Sequence, residues 1–315
     1  MKGNFQVRFL GGKGAVRPLP YPVRKRNETM QTYYLVKETP ELKELLATVD
    51  KLKLQINVDK PLQKERWSAI QEKLRIDWTY DSNAIEGSSL TRGETLFFLK
   101  EGLTVEGKPF KDFLDARNHA EALDYLYEIT QENRPISEGF IKEINALLLS
   151  GVSCTDAVNE FGQKIKKAAT PGKYKMLPNH VLQPNGTIHF YTDPIRVSDE
   201  MEILCKWIVD NIDNVHPVVT GAIAHYNMVR IHPFDDGNGR GSRILMNMIF
   251  IKKGYPPAII KKEDRRQYLV SLSMADEGDL CPFVTFVANS LMNTQEIIVE
   301  ELNKSTRSPG SSQQG

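Results

Sequence analysis

The sequence predicts an all-α protein that carries one β-hairpin. Apolar residues recur at helical spacing through most of the chain, and capping residues and Gly/Pro stops divide this pattern into separate helices. The stretch 180–194 instead places Asn185 and Gly186 between two β-prone runs, a strong hairpin signal because both residues tolerate positive φ. Since two strands alone are marginal in water, this hairpin must lean on the helices, and it can serve as a movable flap.

Composition limits the class of protein and its partners. The 315 residues are 40% apolar and 26% charged, which is typical of a globular chain. A net charge of +1, with no basic stripe, argues against nucleic acid or anionic lipid as partners. Three widely spaced cysteines without a CxxC pair favour a reducing compartment. With no signal peptide and no membrane span recognised, we expect a cytoplasmic location.

Four parts of the chain differ in composition. Residues 1–38 are rich in glycine and proline and predict an irregular arm, and residues 39–104 predict an N-terminal helical region. Residues 105–303 predict the core domain, and the polar residues 304–315 predict a disordered tail. Region 1–100 is expected to set partner choice or to form a homodimer.

Helix starts are marked by capping residues. Thr39 followed by Pro40 predicts the first helix, and a second is expected from about Pro61. Thr91 and Glu94 form a capping-box pattern for a third helix. Later helices are predicted over 112–131, 137–150, 198–213, 217–231, 239–253, 263–275 and 282–303.

The segment "RIHPFDDGNGRGSR", from Arg230 to Arg243, concentrates groups that suit phosphate chemistry. Gly237 and Gly239 lie where a helix begins, so backbone N–H groups there can cradle an anion. Arg240 and Arg243 are three residues apart and share one face of that helix, where two guanidinium groups suit a polyphosphate.

Two further residues complete the chemistry of this segment. Asp236 would repel phosphate unless a hard cation lay between them, and Mg²⁺ held by one carboxylate and phosphate oxygens is the usual solution. His232 is a candidate general base, because histidine has an unperturbed pKa of about 6.5. An anion cradle, a cation ligand, a base and charge clamps together predict phosphoryl or nucleotidyl transfer.

The stretch "HPFDDGNGRGSR" resembles the signature of the Fic (Fido) family, HPFx[DE]GNGRxxR, at every fixed position. Flanking stretches such as "AIAHYNMVRIHPF", "LMNMIFIKKGYPP" and "ADEGDLCPFVTFVANS" extend the resemblance over about 105–300. It implies a Fic-type helical bundle and an enzyme that moves AMP from ATP onto a Ser, Thr or Tyr hydroxyl of a target protein, itself included.

The resemblance also implies roles for individual residues. His232 would take the proton of the attacking hydroxyl, Asp236 would hold Mg²⁺, and Arg243 would bind the γ-phosphate. Phe234 would anchor the loop in the core. The hairpin would be the family's flap, which pairs with the target backbone. The residues expected to bind nucleotide are Gly237, Asn238, Gly239, Arg240, Gly241, Ser242 and Arg243 in the loop and helix, Gly186, Thr187, Ile188 and His189 in the flap, and Tyr268 and Asp276 beside the adenine.

A second stretch, "SNAIEG" from Ser82 to Gly87, matches the family's inhibitory motif [ST]xxxE[GN]. It implies the class with an N-terminal inhibitory helix, in which Glu86 would pair with Arg243 and take the place of the γ-phosphate. ATP would then bind with its α-phosphate poorly aligned for attack. The alternative is that Glu86 is a solvated charge at a helix end.

Several functions stay open on the sequence alone. The same site could use another nucleotide or a phosphocholine donor, or remove AMP from a modified protein with Glu86 positioning water. A nucleotide-sensing module without catalysis is a further alternative, although the intact pair of His232 and Asp236 argues against it. A metal hydrolase lacks enough ligands in the segment.

Overall fold

Ten α-helices and two small sheets form the part of the chain that the computed structural model describes, which comprises residues 9–10, 33–59, 61, 63–132, 134–159, 164–179, 181–182 and 188–304. The helices are α1 (Pro40–Asp59), α2 (Lys64–Ile85), α3 (Arg92–Glu101), α4 (Phe110–Gln131), α5 (Glu138–Leu148), α6 (Pro194–Asn211), α7 (Pro217–Ile231), α8 (Asn238–Lys252), α9 (Arg265–Asp276) and α10 (Cys281–Asn303). The predicted all-α class is confirmed.

Local capping signals account for the helix starts. The Leu42 N–H donates to Thr39 Oγ1 at 3.2 Å at the start of α1, and Thr91 and Glu94 form the predicted reciprocal capping box of α3. Every predicted helix is present. The largest difference is at α6, which begins at Pro194 because the Asp193 carboxylate accepts from the Ile195 N–H at 3.1 Å and caps the helix there.

The predicted hairpin is formed by β4 (Val181–Leu182) and β5 (Ile188–His189), which pair antiparallel. Its Asn185–Gly186 turn lies outside the described residues. A second sheet was not predicted: β1 (Phe9–Leu10), β2 (Cys154–Asn159) and β3 (Lys164–Ala168) lie side by side in that order. The β2–β3 hairpin escaped prediction because its short strands are polar and no Asn-Gly pair joins them.

One hydrophobic core runs without a break from α1 and α2 to α10. Helices α7 and α8 lie at its centre and are buried almost all round, as expected of helices surrounded by other helices. They approach closely at Gly221, where a Cβ atom would lie 2.4 Å from the Phe250 ring. The boundary near residue 104 stays a prediction, and the predicted tail beyond Lys304 lies outside the described ranges.

None of the helices in the described ranges combines the length and apolarity needed to cross a bilayer.

Candidate active site

The segment between α7 and α8 forms a tight loop that joins the two central helices. The His232 N–H donates to Met228 O and closes α7, with His232 itself in the left-handed region at φ 52° and ψ 59°. Among the described residues it is the only non-glycine with positive φ, a conformation that persists only where the surroundings impose it. Gly237, at φ +78°, is the N-cap residue that precedes α8.

The Asn238 side chain shapes this loop from within. Its Oδ1 accepts from the Phe234 N–H at 2.9 Å, and its Nδ2 donates to Phe234 O at 2.8 Å. The Phe234 ring is buried and packs against Tyr174, with 5.5 Å between ring centroids. Asn238 can therefore offer an anion its backbone N–H, while its amide is engaged in holding the loop.

Three side chains that the sequence did not single out, those of Asn145, Asn179 and Lys167, hold the loop from outside. Asn145 on α5 donates to Asp236 O at 2.8 Å, and Asn179 donates to Phe234 O at 2.9 Å. Asp235, a position with no predicted role, accepts from Lys167 on β3 at 2.7 Å. The unpredicted β2–β3 hairpin is thus tied to the loop, and buried hydrogen bonds of this kind fix its backbone.

Arg243 is buried and joins α8 to the end of α2. Its Nε donates to Ser82 Oγ at 3.0 Å, and its Nη2 donates to Ser82 O at 2.9 Å and to Glu86 Oε1 at 2.8 Å. Gly87, at φ +103°, ends α2 in a conformation that favours glycine and leaves Glu86 at the helix end. The structure therefore brings Ser82 and Glu86 of the predicted inhibitory motif to Arg243, and Gly87 follows Glu86 at the helix end.

The Glu86 carboxylate lies directly on the first turn of α8. A Cβ atom at Gly239 would be only 2.2 Å from Glu86 Oε1, so the glycine makes room for this carboxylate. The same point lies 3.3 Å from Arg243 Nη1, which is buried and makes no hydrogen bond within the described part of the chain. A helix N-terminus and an underused guanidinium thus converge on one spot, which suits an anion with several oxygens.

Arg240 is the other arginine of the signature, and its charge is balanced within the protein. Its Nη1 lies 2.8 Å from Asp115 Oδ1 on α4, and both side chains are buried. Burial by itself lowers the pKa of Arg240, but Asp115 and then Asp236 outweigh this effect and the pKa is raised overall. The predicted phosphate clamp is therefore a permanently charged guanidinium with a fixed internal partner.

Asp236 lies two residues before the N-terminus of α8. Its Oδ1 accepts from the Gly237 N–H at 2.7 Å. In the described ranges no three His, Cys, Asp or Glu side chains are grouped closely enough to hold a metal ion by themselves. One carboxylate beside an anion cradle fits Mg²⁺ only in the form that the sequence predicted, shared between Asp236 and substrate phosphate oxygens.

The two residues predicted beside the adenine, Asp276 and Tyr268, take different positions, and Asp276 contacts His189 of the predicted flap. His189 on β5 and Asp276 at the end of α9 meet, with 3.8 Å between Nδ1 and Oδ2, and Tyr226 donates to Asp276 Oδ1 at 3.1 Å. Burial raises the pKa of Asp276, and the neighbouring His189 opposes that rise. Tyr268 is instead in the core, with its hydroxyl 3.0 Å from His225 Nε2, so its contact with adenine stays a prediction.

The other predicted loop and flap residues take different positions. Gly241 faces α7, where a Cβ atom would lie 3.0 Å from Met228 Cε, and the Ser242 hydroxyl donates to Gly239 O at 2.8 Å. Of the flap, Ile188 pairs with Leu182 through the backbone, whereas Gly186 and Thr187 lie outside the described residues. Their contacts with nucleotide stay predictions.

Two buried histidines beside the site make stability depend on pH. Burial lowers the pKa of His119 and of His225 well below the ordinary value, and arginine charges, Arg243 at both and Arg240 at His119, lower it further. Both are neutral in the folded state, whereas an unfolded histidine binds a proton below about pH 6.5. The free energy of unfolding therefore does not depend on these two histidines' protonation above that pH. Below it, the free energy of unfolding falls as pH decreases, by up to about 1.4 kcal/mol per pH unit for each histidine.

The variant His225→Gln is expected to remove one of these two contributions. Its free energy of unfolding, measured by denaturant titration between about pH 7 and pH 5, should fall less steeply on acidification than that of the parent, by up to about 1.4 kcal/mol per pH unit. Equal slopes for both proteins would show that His225 is not held neutral in the folded state.

Comparisons with known proteins give the site a context. Residues 135–250 match the Fic/DOC family model. The chain is 32% identical over 220 residues to the protein adenylyltransferase Fic of Drosophila erecta, covering 69% of this chain and 40% of that protein. It is 31% identical over 217 residues to the protein adenylyltransferase Fic of Nematostella vectensis, covering 68% of this chain and 46% of that one. The chain thus spans less than half the length of these two curated relatives.

A solved structure matches more of the described fold. The chain resembles a Fic domain containing signaling protein from Bacteroides thetaiotaomicron with a TM-score of 0.73 and 28% identity, over 84% of this chain and 100% of that one. The predicted family resemblance is confirmed by the family match, and the helical fold by this structural likeness.

Proposed function

Because this chain belongs to the Fic/DOC family through residues 135–250, we propose that it is a protein adenylyltransferase, which transfers AMP from ATP to a Ser, Thr or Tyr hydroxyl of a target protein. The observation that carries the proposal is the Glu86 carboxylate on Arg243 and the start of α8. An internal anion lies where the terminal phosphate of a nucleotide would be bound.

Different residues of the loop and of α8 contribute to different parts of the reaction. The target hydroxyl attacks the α-phosphorus of ATP, the bond from that phosphorus to the bridging oxygen breaks, and pyrophosphate leaves. His232 takes the proton of the hydroxyl as general base. The N–H groups at the start of α8 and the Arg243 guanidinium hold the phosphates. Arg240, fixed by Asp115, adds a positive charge where negative charge develops.

Mg²⁺ and ATP complete the site in this proposal. Asp236 would hold the ion against the phosphate oxygens, and the ion would supply charge neutralisation at the leaving pyrophosphate. A carboxylate at the mouth of an anion cradle supports this assignment, since it would otherwise repel the nucleotide. Asp276 and His189 would then border the base, with the Asp276 carboxylate accepting from an exocyclic amino group.

Autoinhibition by Glu86 belongs to the same proposal. While its carboxylate is 2.8 Å from Arg243 Nη2, a γ-phosphate cannot take that guanidinium. The triphosphate would then bind with its α-phosphate displaced from the line of attack of the target hydroxyl. Ser82, which accepts from Arg243 Nε, and Gly87, which ends the helix, hold this arrangement in place.

Removal of AMP from a modified protein is a second candidate reaction. It is favoured by the Glu86 side chain, which is 34% exposed while it remains on Arg243. A carboxylate held in this way could orient a water molecule toward a phosphodiester. This reaction predicts release of AMP from a modified target by the parent protein and a loss of that release in Glu86→Gly.

Donor chemistry tests the main proposal. The Glu86→Gly protein, incubated with Mg²⁺ and ATP labelled at the α-phosphate, is expected to label itself and to gain the mass of one adenylyl group. ATP labelled at the γ-phosphate should leave no label, and Glu86→Gly/His232→Ala should stay unlabelled. Transfer of the γ-label would replace the proposal with a kinase, and nucleotide binding without any transfer would replace it with a nucleotide-sensing module.

Two further proposals concern the location of the protein and its assembly. A cytoplasmic location fits the three cysteines, which are all unpaired. A role for the N-terminal region in target choice or in a homodimer is supported by exposed apolar side chains on α1 and α3, namely Leu54, Val58 and Phe97.

A further inference from the structure

The chain leaving β5 presents alternate side chains to opposite sides. His189 and Tyr191 contact each other in an edge-to-face arrangement, with 4.8 Å between ring centroids. Phe190 between them is 57% exposed. This alternation is what an extended backbone produces, so the side that carries His189 and Tyr191 faces the protein while Phe190 faces away.

Tyr191 lies flat on the imidazole of His232. The ring centroids are 3.8 Å apart and the planes differ by 15°. Only 4% of the His232 surface is exposed. In neutral imidazole the lone pair of the basic nitrogen and the N–H bond of the other nitrogen both lie in the ring plane, so a neighbour on one face does not cover them. This contact therefore restricts rotation of the ring without occupying the nitrogens.

The backbone on either side of His232 is held separately by Lys175. Its N–H donates to Pro233 O at 2.8 Å, and its ammonium lies 3.4 Å from Ile231 O and 5.8 Å from the Tyr191 ring centroid. The two contacts with carbonyl oxygens fix the main chain around His232. They act on the main chain, whereas the contact of Tyr191 is with the imidazole ring itself.

We propose that Tyr191 is a positioning residue that fixes the plane of the His232 imidazole for proton transfer and so links the flap to the base. The proposal rests on the function proposed above for His232. Tyr191 follows β5 directly, and His189 connects the same strand to Asp276 at 3.8 Å. A displacement of the flap strand would move Tyr191 and change the direction in which His232 offers its nitrogen to a hydroxyl.

Nuclear magnetic resonance of the histidine side chains tests the contact without using activity. A ring stacked at 3.8 Å shifts the imidazole proton resonances of His232 upfield, and His232→Ala identifies those resonances. We expect Tyr191→Leu to remove the upfield shift, Tyr191→Phe to retain it, and Phe190→Leu, the matched change on the exposed side of the strand, to leave it in place. An unchanged His232 resonance in Tyr191→Leu would overturn the proposal.

Kinetics of self-labelling test whether the contact of Tyr191 with His232 affects catalysis. In the Glu86→Gly background, Tyr191→Leu is expected to lower kcat by about tenfold, the upper end of what one aromatic contact contributes, while KM for ATP is unchanged. Tyr191→Phe should keep the parental kcat, because it retains the ring. A loss as large in Tyr191→Phe as in Tyr191→Leu, or an effect confined to KM, would overturn the positioning role.

The two tests also separate this inference from the proposed function. If Glu86→Gly transfers no α-label from ATP, the proposed function fails on that result. The resonance of His232 in Tyr191→Leu still decides whether Tyr191 orients the imidazole. Thermal unfolding of each variant shows whether it is folded, and Tyr191→Phe keeps the test decisive if Tyr191→Leu is not.

Discussion

Replacing Glu86 with glycine is expected to raise the rate of self-labelling from α-labelled ATP by about 100-fold or more, since a misplacement of about 1 Å at a reacting centre has an effect of that size. The change removes the carboxylate from Arg243 Nη2 and from the space above Gly239. A γ-phosphate can then take both places, and the α-phosphate moves into line with the attacking hydroxyl. The measurement is initial-rate label incorporation by purified protein.

A matched variant separates the loss of the carboxylate from the addition of a helix-end glycine. Glu132 is also the residue that ends a helix, with φ −74° and ψ −2° against −81° and −3° at Glu86, and it is exposed. Glu132→Gly is expected to stay at the low parental rate. If Glu86→Gly labels itself no faster than Glu132→Gly, the carboxylate does not restrain the site.

Replacing Asp115 with alanine is expected to lower the free energy of unfolding by about 3–5 kcal/mol, as is usual when one partner of a buried ion pair is removed. Asp115 is paired with Arg240 at 2.8 Å, and Arg240 is 3% exposed. Without the carboxylate, the guanidinium stays charged in a site that water does not reach. Since Asp115 also pairs with Lys111, the same change releases a second cation.

An exposed aspartate on the same helix provides the control. Asp124 pairs with Arg75 at 2.5 Å, but 55% of its side chain is exposed. Asp124→Ala is therefore expected to change the free energy of unfolding by only about 0–1 kcal/mol. Denaturant unfolding of both variants measures the difference. Equal losses for the two would contradict the view that burial makes the ion pair of Asp115 with Arg240 important for stability.

Much of the fold could be predicted because its signals are local. The caps at Thr39 and Thr91 act on N–H groups three residues away, and helical periodicity joins residues three and four apart. The β4–β5 hairpin carries its own turn signal. The β2–β3 hairpin has no such signal, and Lys167, one of its polar residues, forms an ion pair with Asp235, far along the chain.

The candidate site, too, could be predicted only in part. A short motif, read through a family resemblance, was enough to name His232, Asp236 and Arg243. The residues that hold them, such as Asn145 and Tyr191, come from other elements; Asn145 is 91 positions from the residue it binds. An asparagine or a tyrosine at such a distance carries no local pattern that distinguishes it from any other.

By itself, the sequence determined the helices, their caps and the chemical groups of the 232–243 loop, because each depends on neighbours within a few residues. The resemblance paired Glu86 with Arg243, but only the tertiary structure brought these residues, 157 positions apart, to 2.8 Å. Only the tertiary structure placed Tyr191 on His232 and Asp115 on Arg240. The physical reason is that such contacts depend on how whole helices and strands pack, and packing is a property of the complete core.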